Sequence, residues 1–483
     1  MTRRQRLTLF TAILGSAVVT IDSSVINVAL PAIARDLGGG LSAQQWVSNA
    51  YLLSLGSLIL VGGSLGDIYG ERRVFEVGVA AFGVVSIACA LAPTIGVLIA
   101  ARALQGAAGA LVTPSSLAII VGAFAPKERG AAIGSWTAWG SIAAIIGPLA
   151  GGLIVDQVSW RWIFVVNVPL VAGTLLLIRA AVPASAGTAD RHVDFAGAGL
   201  CALGLGGVVF ALIEEPQYGW GSPMILITLI GGIVSFASFL AYERRAPEPM
   251  LKLELFTHRN FAVGNVETLS MYAGLSILFF FLTIYLQEVA GYSALKSGLT
   301  TLPVTLVMFV LSRRFGALAD RYGPRLFMGG GPLIAAAGIL LLARVGRHVS
   351  YTTDLLPALL IFAVGLSMTV SPLTATVLAD ADESDAGIAS AINNQVARVA
   401  GLIGVSVIGV VVAGTLVGGT FAVNEASVRA FHMAMVVCAV LVAAGGVVGA
   451  IGIVNPRRTV SAANCPGGQL VGAPKPAAAG LAD

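Results

Sequence analysis

Charge is what this sequence has least of. Of its 483 residues, 11% are Asp, Glu, Lys or Arg, against about 25% in an ordinary soluble domain. With 57% hydrophobic residues and a mean hydropathy of +0.90, too little polar surface remains to cover a water-soluble globule. Cysteine and histidine are also sparse, four of each. Cys89, Cys201 and Cys438 lie inside apolar runs and Cys465 lies near the end of the chain, with no CxxC or Cys/His spacing. That argues against a disulfide framework and a zinc site. His192, His258, His348 and His432 are scattered and offer no ligand set for a metalloenzyme. No G-x-x-x-x-G-K-[ST] loop and no soluble nucleotide-binding domain occurs, which argues against direct drive by ATP. No nucleophile–base pair falls at one depth, so neither an enzyme nor a cofactor is expected.

What is abundant is the long apolar run. Runs of about 18–28 residues suit helices that cross about 30 Å of hydrocarbon. Hydropathy predicts an all-α integral membrane protein of fourteen spans. Six cover 7–34, 44–65, 74–93, 95–124, 131–155 and 163–182, two more 195–213 and 224–242, and the last six 261–287, 297–312, 326–343, 355–379, 387–412 and 431–454. The stretch from Leu7 to about Ala34 is too long for the apolar core of a signal peptide and is read as an uncleaved first span. Segments Pro183–Asp194 and Glu214-Glu215-Pro216 to Pro223 are expected to be loops from their Gly, Pro and charge content. Spans 7 and 8 carry no charge and are read as a peripheral hairpin.

Lysine and arginine set the expected orientation. With the N-terminus in the cytoplasm, 20 Lys and Arg fall on the cytoplasmic side and 6 outside, leaving Arg102 and Arg398 within spans. Both termini are then cytoplasmic, in the cell membrane. The pI near 9.0 reflects this asymmetry and does not point to nucleic acid.

A repeat divides the chain. Gly63-Ser-Leu-Gly-Asp67-Ile-Tyr-Gly70-Glu-Arg72 aligns with Gly316-Ala-Leu-Ala-Asp320-Arg-Tyr-Gly323-Pro-Arg325, with six of ten positions identical. Each copy falls between the second and third spans of a six-span block. The expected domains are a six-helix bundle over 1–182, loops and two added helices over 183–250, a second bundle over 251–454, and a disordered cytoplasmic tail over 455–483. Parallel halves of this kind build rocking transporters with the solute site at their interface.

The G-x-L-x-D-x-x-G-x-R loop resembles the signature of the major facilitator superfamily. Other stretches resemble its fourteen-span drug:proton antiporter branch: Asp22-Ser-Ser-Val-Ile-Asn27-Val-Ala-Leu-Pro31, Arg102-Ala-Leu-Gln105-Gly106, and Gly147-Pro148-Leu-Ala-Gly151-Gly152. Trp160-Arg161-Trp162, Asn167-Val-Pro169, Tyr285-Leu-Gln287 and the stretch from Asn393 to Arg398 also look like family landmarks. The resemblance covers about 7–454. Departures are Ile68 and Glu71, where the family usually has basic residues, and Ala143, where it often has glycine.

Several residues follow as candidates. A carboxylate at Asp22, near the middle of a span, costs about 2.5–3.5 kcal/mol on insertion scales. Burial disfavours its charged form and a nearby cation favours it, so it could exchange a proton or attract a cationic solute. The alternative is a structural carboxylate bonded to neighbouring helices. Arg102 keeps its charge and could bias such an acid, or serve as an ion pair or carbonyl tether. Glu267 and Arg398 are the buried counterparts in the second half, and Glu267 could instead snorkel towards His258 and Arg259. The resemblance implies coupling or binding roles for Asn27, Gln105 and Asn393 beside them. Gly147, Pro148, Gly151 and Gly152 would let helices approach closely, and the resemblance adds export against an opposing ion. In the repeated loops, Gly63, Asp67, Gly70 and Arg72, with Gly316, Asp320, Gly323 and Arg325, could form salt links that part between two states.

The expected function is proton-coupled export of lipophilic or cationic drugs by alternating access. An alternative is export of a narrower native metabolite, lipid or antibiotic. A membrane enzyme or a non-transporting receptor finds less support in these residues. The expected partners are a small-molecule solute, protons and the lipid bilayer, with protein partners unknown.

Overall fold

In the computed structural model, every residue is described except 184–186, 188–192, 247–248, 250, 380–385 and 456–483. The tail read as disordered lies almost wholly outside the described residues. Among them, fourteen helices are long and apolar enough to cross a membrane: α1 (Arg3–Leu37), α2 (Leu41–Tyr69), α3 (Glu71–Ala90), α4 (Ile95–Ala123), α5 (Lys127–Gln157), α6 (Trp162–Ala181), α7 (Phe195–Tyr218), α8 (Pro223–Glu243), α9 (Arg259–Glu288), α10 (Ala294–Tyr322), α11 (Pro324–Leu342), α12 (Tyr351–Ala379), α13 (Ile388–Ala413) and α14 (Glu425–Gly452). Large apolar side chains such as Phe309, Ile227 and Leu203 are exposed on their outer faces, as a hydrocarbon solvent requires.

Most helices overrun their hydropathy limits. Hydropathy reports where lipid begins, whereas a helix continues until its backbone is capped. At the start, Thr2 and Gln5 bond reciprocally to each other's backbone N–H and open α1 four residues before the apolar run. The expected loop at Glu214-Glu215-Pro216 is the last part of α7. The repeated motif is also more helical than expected. Asp67 and Asp320 lie in the last turns of α2 and α10, and each turn into the next helix narrows to one glycine. Gly70 (φ 87°, ψ 129°) and Gly323 (φ 91°, ψ 147°) share a backbone shape in the left-handed half of the map, which favours glycine.

The two bundles repeat one packing scheme. In the first, α2 packs on α4, α3 on α4, α1 on α5 and α6, and α3 on α6. In the second, α10 packs on α12, α11 on α12, α9 on α13 and α14, and α11 on α14. Contacts between the halves obey the same symmetry: α2 meets α13, α5 meets α10, and α1 meets α9. Each half therefore offers its second and fifth helices to the other. The α2–α13 pair is antiparallel. Gln45 Nε2 donates to the Val405 carbonyl, Asn49 Nδ2 to Ser406 Oγ at 2.9 Å, and Gln395 Nε2 to the Gly56 carbonyl.

Among the described residues, the apolar core joins the halves at one end only. Call the end bearing Gly70 and Gly323 the loop end, and the other the far end. At the far end one apolar core runs through both halves, from Val25, Ile26 and Leu30 to Ile277, Phe280 and Phe281. Towards the loop end it divides into separate clusters, two around Phe75 and Phe124 in the first half and one around Phe261 in the second.

Helices α7 and α8 form a hairpin, as expected, but they are not equally peripheral. Helix α7 covers the α2–α13 seam, with Leu205, Val209 and Ile213 packed with Leu402 of α13 and Trp46 of α2. Trp46 Nε1 donates to Glu214 Oε1 at 2.6 Å. Helix α8 leans on α7 and leaves most of its surface outward.

Candidate functional site

Arg102 and Gln105 stand one turn apart on α4, so their polar ends share a helix face. Both point at Asp22 on α1. Arg102 Nη1 lies 2.5 Å from Asp22 Oδ2 and 2.6 Å from Gln105 Oε1, while Gln105 Nε2 donates to Asp22 Oδ1 at 2.9 Å. Asn167 Nδ2 of α6 also donates to Asp22 Oδ1 at 2.9 Å, and Ser86 Oγ of α3 accepts from Gln105 Nε2 at 2.9 Å. Arg102 Nε reaches the Val47 carbonyl at 3.3 Å, and its guanidinium lies 4.3 Å from the centre of the Tyr51 ring. All five polar side chains of this network are buried. A buried ion pair holds only when its remaining lone pairs and protons are matched; the Gln105 and Asn167 amides match those of Asp22, and Ser86 in turn accepts from both amides. One donor, Arg102 Nη2, has no hydrogen-bond partner among the described residues.

Beside this network, between the halves, lies a cavity of about 260 Å³. Ser23, Asn27, Ser48, Tyr51 and Arg102 line it from the first half, and Tyr272, Ser276 and Phe279 from the second. Arg102 thus has one side on the cavity and the other on Asp22. Asp22 does not line the cavity. Its oxygens are held by Arg102, Gln105 and Asn167, which does not favour direct attraction of a cationic solute.

The other candidates divide by position. Asn27 lies on the cavity wall. Arg398 is half-buried on α13 and has no hydrogen-bond or ion-pair partner among the described residues. Asn393 bonds to Asn265 and Thr268 of α9 at 3.1 and 2.8 Å, tying two helices of the second half together. Glu267 is fully buried but turned away from the cavity. Its carboxyl sits against Gly449 of α14, and neither oxygen has a hydrogen bond among the described residues. It does not snorkel to Arg259, whose Nε donates to the Gly452 carbonyl at 2.8 Å.

Helix α5 serves two interfaces. A methyl group on Gly147 or Gly151 would collide with Ser24 Oγ or Val25 of α1, inside the first half. One on Gly152 would meet the Ala294–Leu295 backbone of α10, and one on Gly298 would meet the Pro148 carbonyl. The run is therefore a close contact between halves on one side and within a half on the other. One turn on, the Asp156 carboxylate accepts from the Ala294 and Leu295 backbone N–H groups at 2.9 Å each. Gln287 Nε2 to the Val28 carbonyl at 3.0 Å, and Arg35 with Glu288 at 3.3 Å, complete the far-end closure.

At the loop end, Gly63 faces the Pro114 side chain, while Gly316 and Asp320 line a cleft of about 430 Å³ beside α12. Asp320 is exposed and has no ion-pair partner among the described residues. Arg325 is tied to the end of α14, its Nε 2.5 Å from the Ala450 carbonyl. Arg72 sits at the matching place at the start of α3.

Sequence reasoning missed Ser86, Tyr51 and Asp156, and took Asn167 only as a landmark. Ser and Asn are unremarkable in membrane helices, since a serine can satisfy itself on its own helix, as Ser86 does on the Phe82 carbonyl.

Two matched bundles of six apolar helices around a central cavity, with a two-helix hairpin beside them, define a membrane transporter. The chain belongs to the Major Facilitator Superfamily, whose profile matches residues 12–405. It is 37% identical over 398 residues to the puromycin resistance protein pur8 of Streptomyces alboniger, covering 80% of this chain and 78% of that protein. It is 33% identical over 409 residues to the tetracenomycin C resistance and export protein of Streptomyces glaucescens, covering 83% and 74%. The fold matches a bacterial homologue of the human lysosomal transporter Spinster, in an inward-facing and unoccupied conformation. That match has a TM-score of 0.68 and 14% identity, over 94% of this chain and 97% of the other. The chain is a multi-pass transporter of small molecules, not an enzyme, and its relatives are exporters of drugs and antibiotics.

Proposed function

We propose that this protein is a proton-coupled antiporter that exports lipophilic drugs from the cell by alternating access. The observation that carries this reading is the buried Asp22–Arg102 pair, set directly behind a cavity that is closed at the far end. With the loop end in the cytoplasm, as the arginine and lysine asymmetry favours, this state is open to the inside. Arg102 is the link between proton and solute. While Asp22 is ionised, it holds the guanidinium back in the network. A proton on Asp22 weakens that hold and lets Arg102 swing towards the cavity, changing its shape and charge. Solute and proton then favour different arrangements of one side chain, which is the opposition that exchange requires. The repeated loops act as gates by forming ion pairs in the opposite state, where the loop ends of the halves meet. Puromycin, named for one relative, is a suitable first solute.

The test is proton movement in proteoliposomes when puromycin is added, with and without an imposed pH gradient. Coupled flux in the wild type, lost in Asp22→Asn and partly kept in Asp22→Glu, is expected. Drug movement that ignores the gradient would remove proton coupling. Undiminished coupling in Asp22→Asn would leave the pair a purely structural tether. Transport of a native metabolite with no effect on drug accumulation in cells would favour the narrower exporter.

A further inference from the structure

Glu267 is a buried acid that this transport path does not use. It lies two turns inside α9, fully buried, with neither Oε1 nor Oε2 hydrogen-bonded among the described residues. The slot that holds it exists because α14 has no side chain there. A Cβ on Gly449 would lie 2.6 Å from Glu267 Oε2 and 2.7 Å from the Met328 carbonyl of α11, and Gly445 packs on the Glu267 backbone one turn away. Such a residue in the membrane marks a function more often than a support.

Gly449 of α14 lies against the Glu267 carboxyl and Gly445 against its backbone carbonyl, and the Met328 carbonyl of α11 lies beside Gly449. On its own helix, Asn265 and Thr268 are engaged with Asn393. Among the described residues, no charged side chain is ion-paired to it. The charged group nearest in sequence to the slot's wall is Arg325, bonded to the carbonyl of Ala450, next to Gly449. An ionised carboxylate with no donor in an apolar bundle is far more costly than the neutral acid.

We propose that Glu267 is a second proton-carrying carboxyl, independent of Asp22 and sealed in this state between α9, α11 and α14 of the second half. This rests on the proton-coupled reading above and adds a second proton to the cycle. The O–H bond of the Glu267 acid breaks, the electron pair stays on the carboxylate, and the proton passes to water at the loop end. The step requires α9 and α14 to part where Arg259 Nε now holds the Gly452 carbonyl and Asn260 bonds reciprocally with the Val454 backbone.

Two measurements test it. Infrared difference spectra of the purified protein in nanodiscs should show the carbonyl stretch of a protonated carboxylic acid at neutral pH. Glu267→Gln should remove it, and Glu267→Asp should shift it. Absence of that band from the wild type overturns the proposal, whether or not the protein transports. The second measurement is the drug gradient that just balances an imposed pH gradient in proteoliposomes. Wild type should balance as for two protons per drug and Glu267→Gln as for one. An unchanged balance point in Glu267→Gln overturns the coupling role. Wild-type drug movement indifferent to pH, with the band present, would instead count against proton-coupled export itself and confine Glu267 to a stored proton outside the cycle, again overturning its role. Thermal unfolding of Glu267→Gln at or above wild type confirms that the variant is folded.

Discussion

Asp156 and Leu295 join the two halves at the far end: Asp156 Oδ2 accepts from the Leu295 backbone N–H at 2.9 Å, and Oδ1 does the same for Ala294. A carboxylate from α5 thus caps the first turn of α10, where unpaired N–H groups and the helix dipole both favour negative charge. Asp156→Ala should weaken closure by about 1–3 kcal/mol, enough to raise the far-end-open population roughly tenfold. Spin labels at the exposed positions Val158 and Val423, one in each half, should then report a longer-distance population. An unchanged distance distribution would show that the cap does not govern closure.

Gly152 is the second far-end determinant. Its Cβ position lies 2.6 Å from Leu295 Cα and 2.7 Å from Leu295 N, both backbone atoms that cannot turn aside. Gly152→Val should prevent the closed far end, abolish transport and produce the same long distance between the labels. Gly134→Ala on the same helix meets nothing within 4 Å and should transport like wild type. A fully active Gly152→Val would mean that the halves do not need this approach.

The Asp22–Arg102 pair should behave non-additively. Removing either partner leaves the other charge buried and unmatched, a loss of about 3–5 kcal/mol. Asp22→Asn and Arg102→Gln should each lower the unfolding temperature. The double variant Asp22→Asn/Arg102→Gln should recover most of it and remain inactive. Additive losses of stability would mean that the two side chains are not coupled in the folded protein.

Helix α7 is expected to support the fold more than the transport path. Deleting 194–242 uncovers the α2–α13 seam, so the shortened protein should unfold at lower temperature even where some efflux persists. The milder change Trp46→Phe removes the bond to Glu214 Oε1, worth about 1 kcal/mol, and trims the ring packed against α7. It should lower the unfolding temperature slightly and leave efflux near wild type. A deletion as stable as wild type would make the whole hairpin peripheral.

Some of the site was legible because charge in an apolar run is conspicuous. Asp22, Arg102, Glu267 and Arg398 stand out for that reason alone, and Arg102 with Gln105 share a face by spacing. Their partners were not legible. Asn167 of α6 reaches Asp22, and Ser86 of α3 reaches Gln105 and Asn167, only when the bundle brings these helices together. The direction of Glu267 was also hidden. Two turns from a helix end, it could have faced the cavity, the loop-end arginines or α14, and the glycines of α14 decide among these.

The sequence by itself determined the number of spans, the two-part repeat and the family, because a membrane imposes local demands. A helix must be about 20 apolar residues long, whatever its neighbours do. Only the tertiary structure decided which buried charges are paired, which face the cavity and which end of the bundle is closed. Those depend on contacts between residues such as Asp22 and Asn167, or Asp156 and Leu295, more than a hundred positions apart. In lipid, where apolar surfaces gain little by leaving the solvent, close packing and polar matching select among helix arrangements of nearly equal hydropathy.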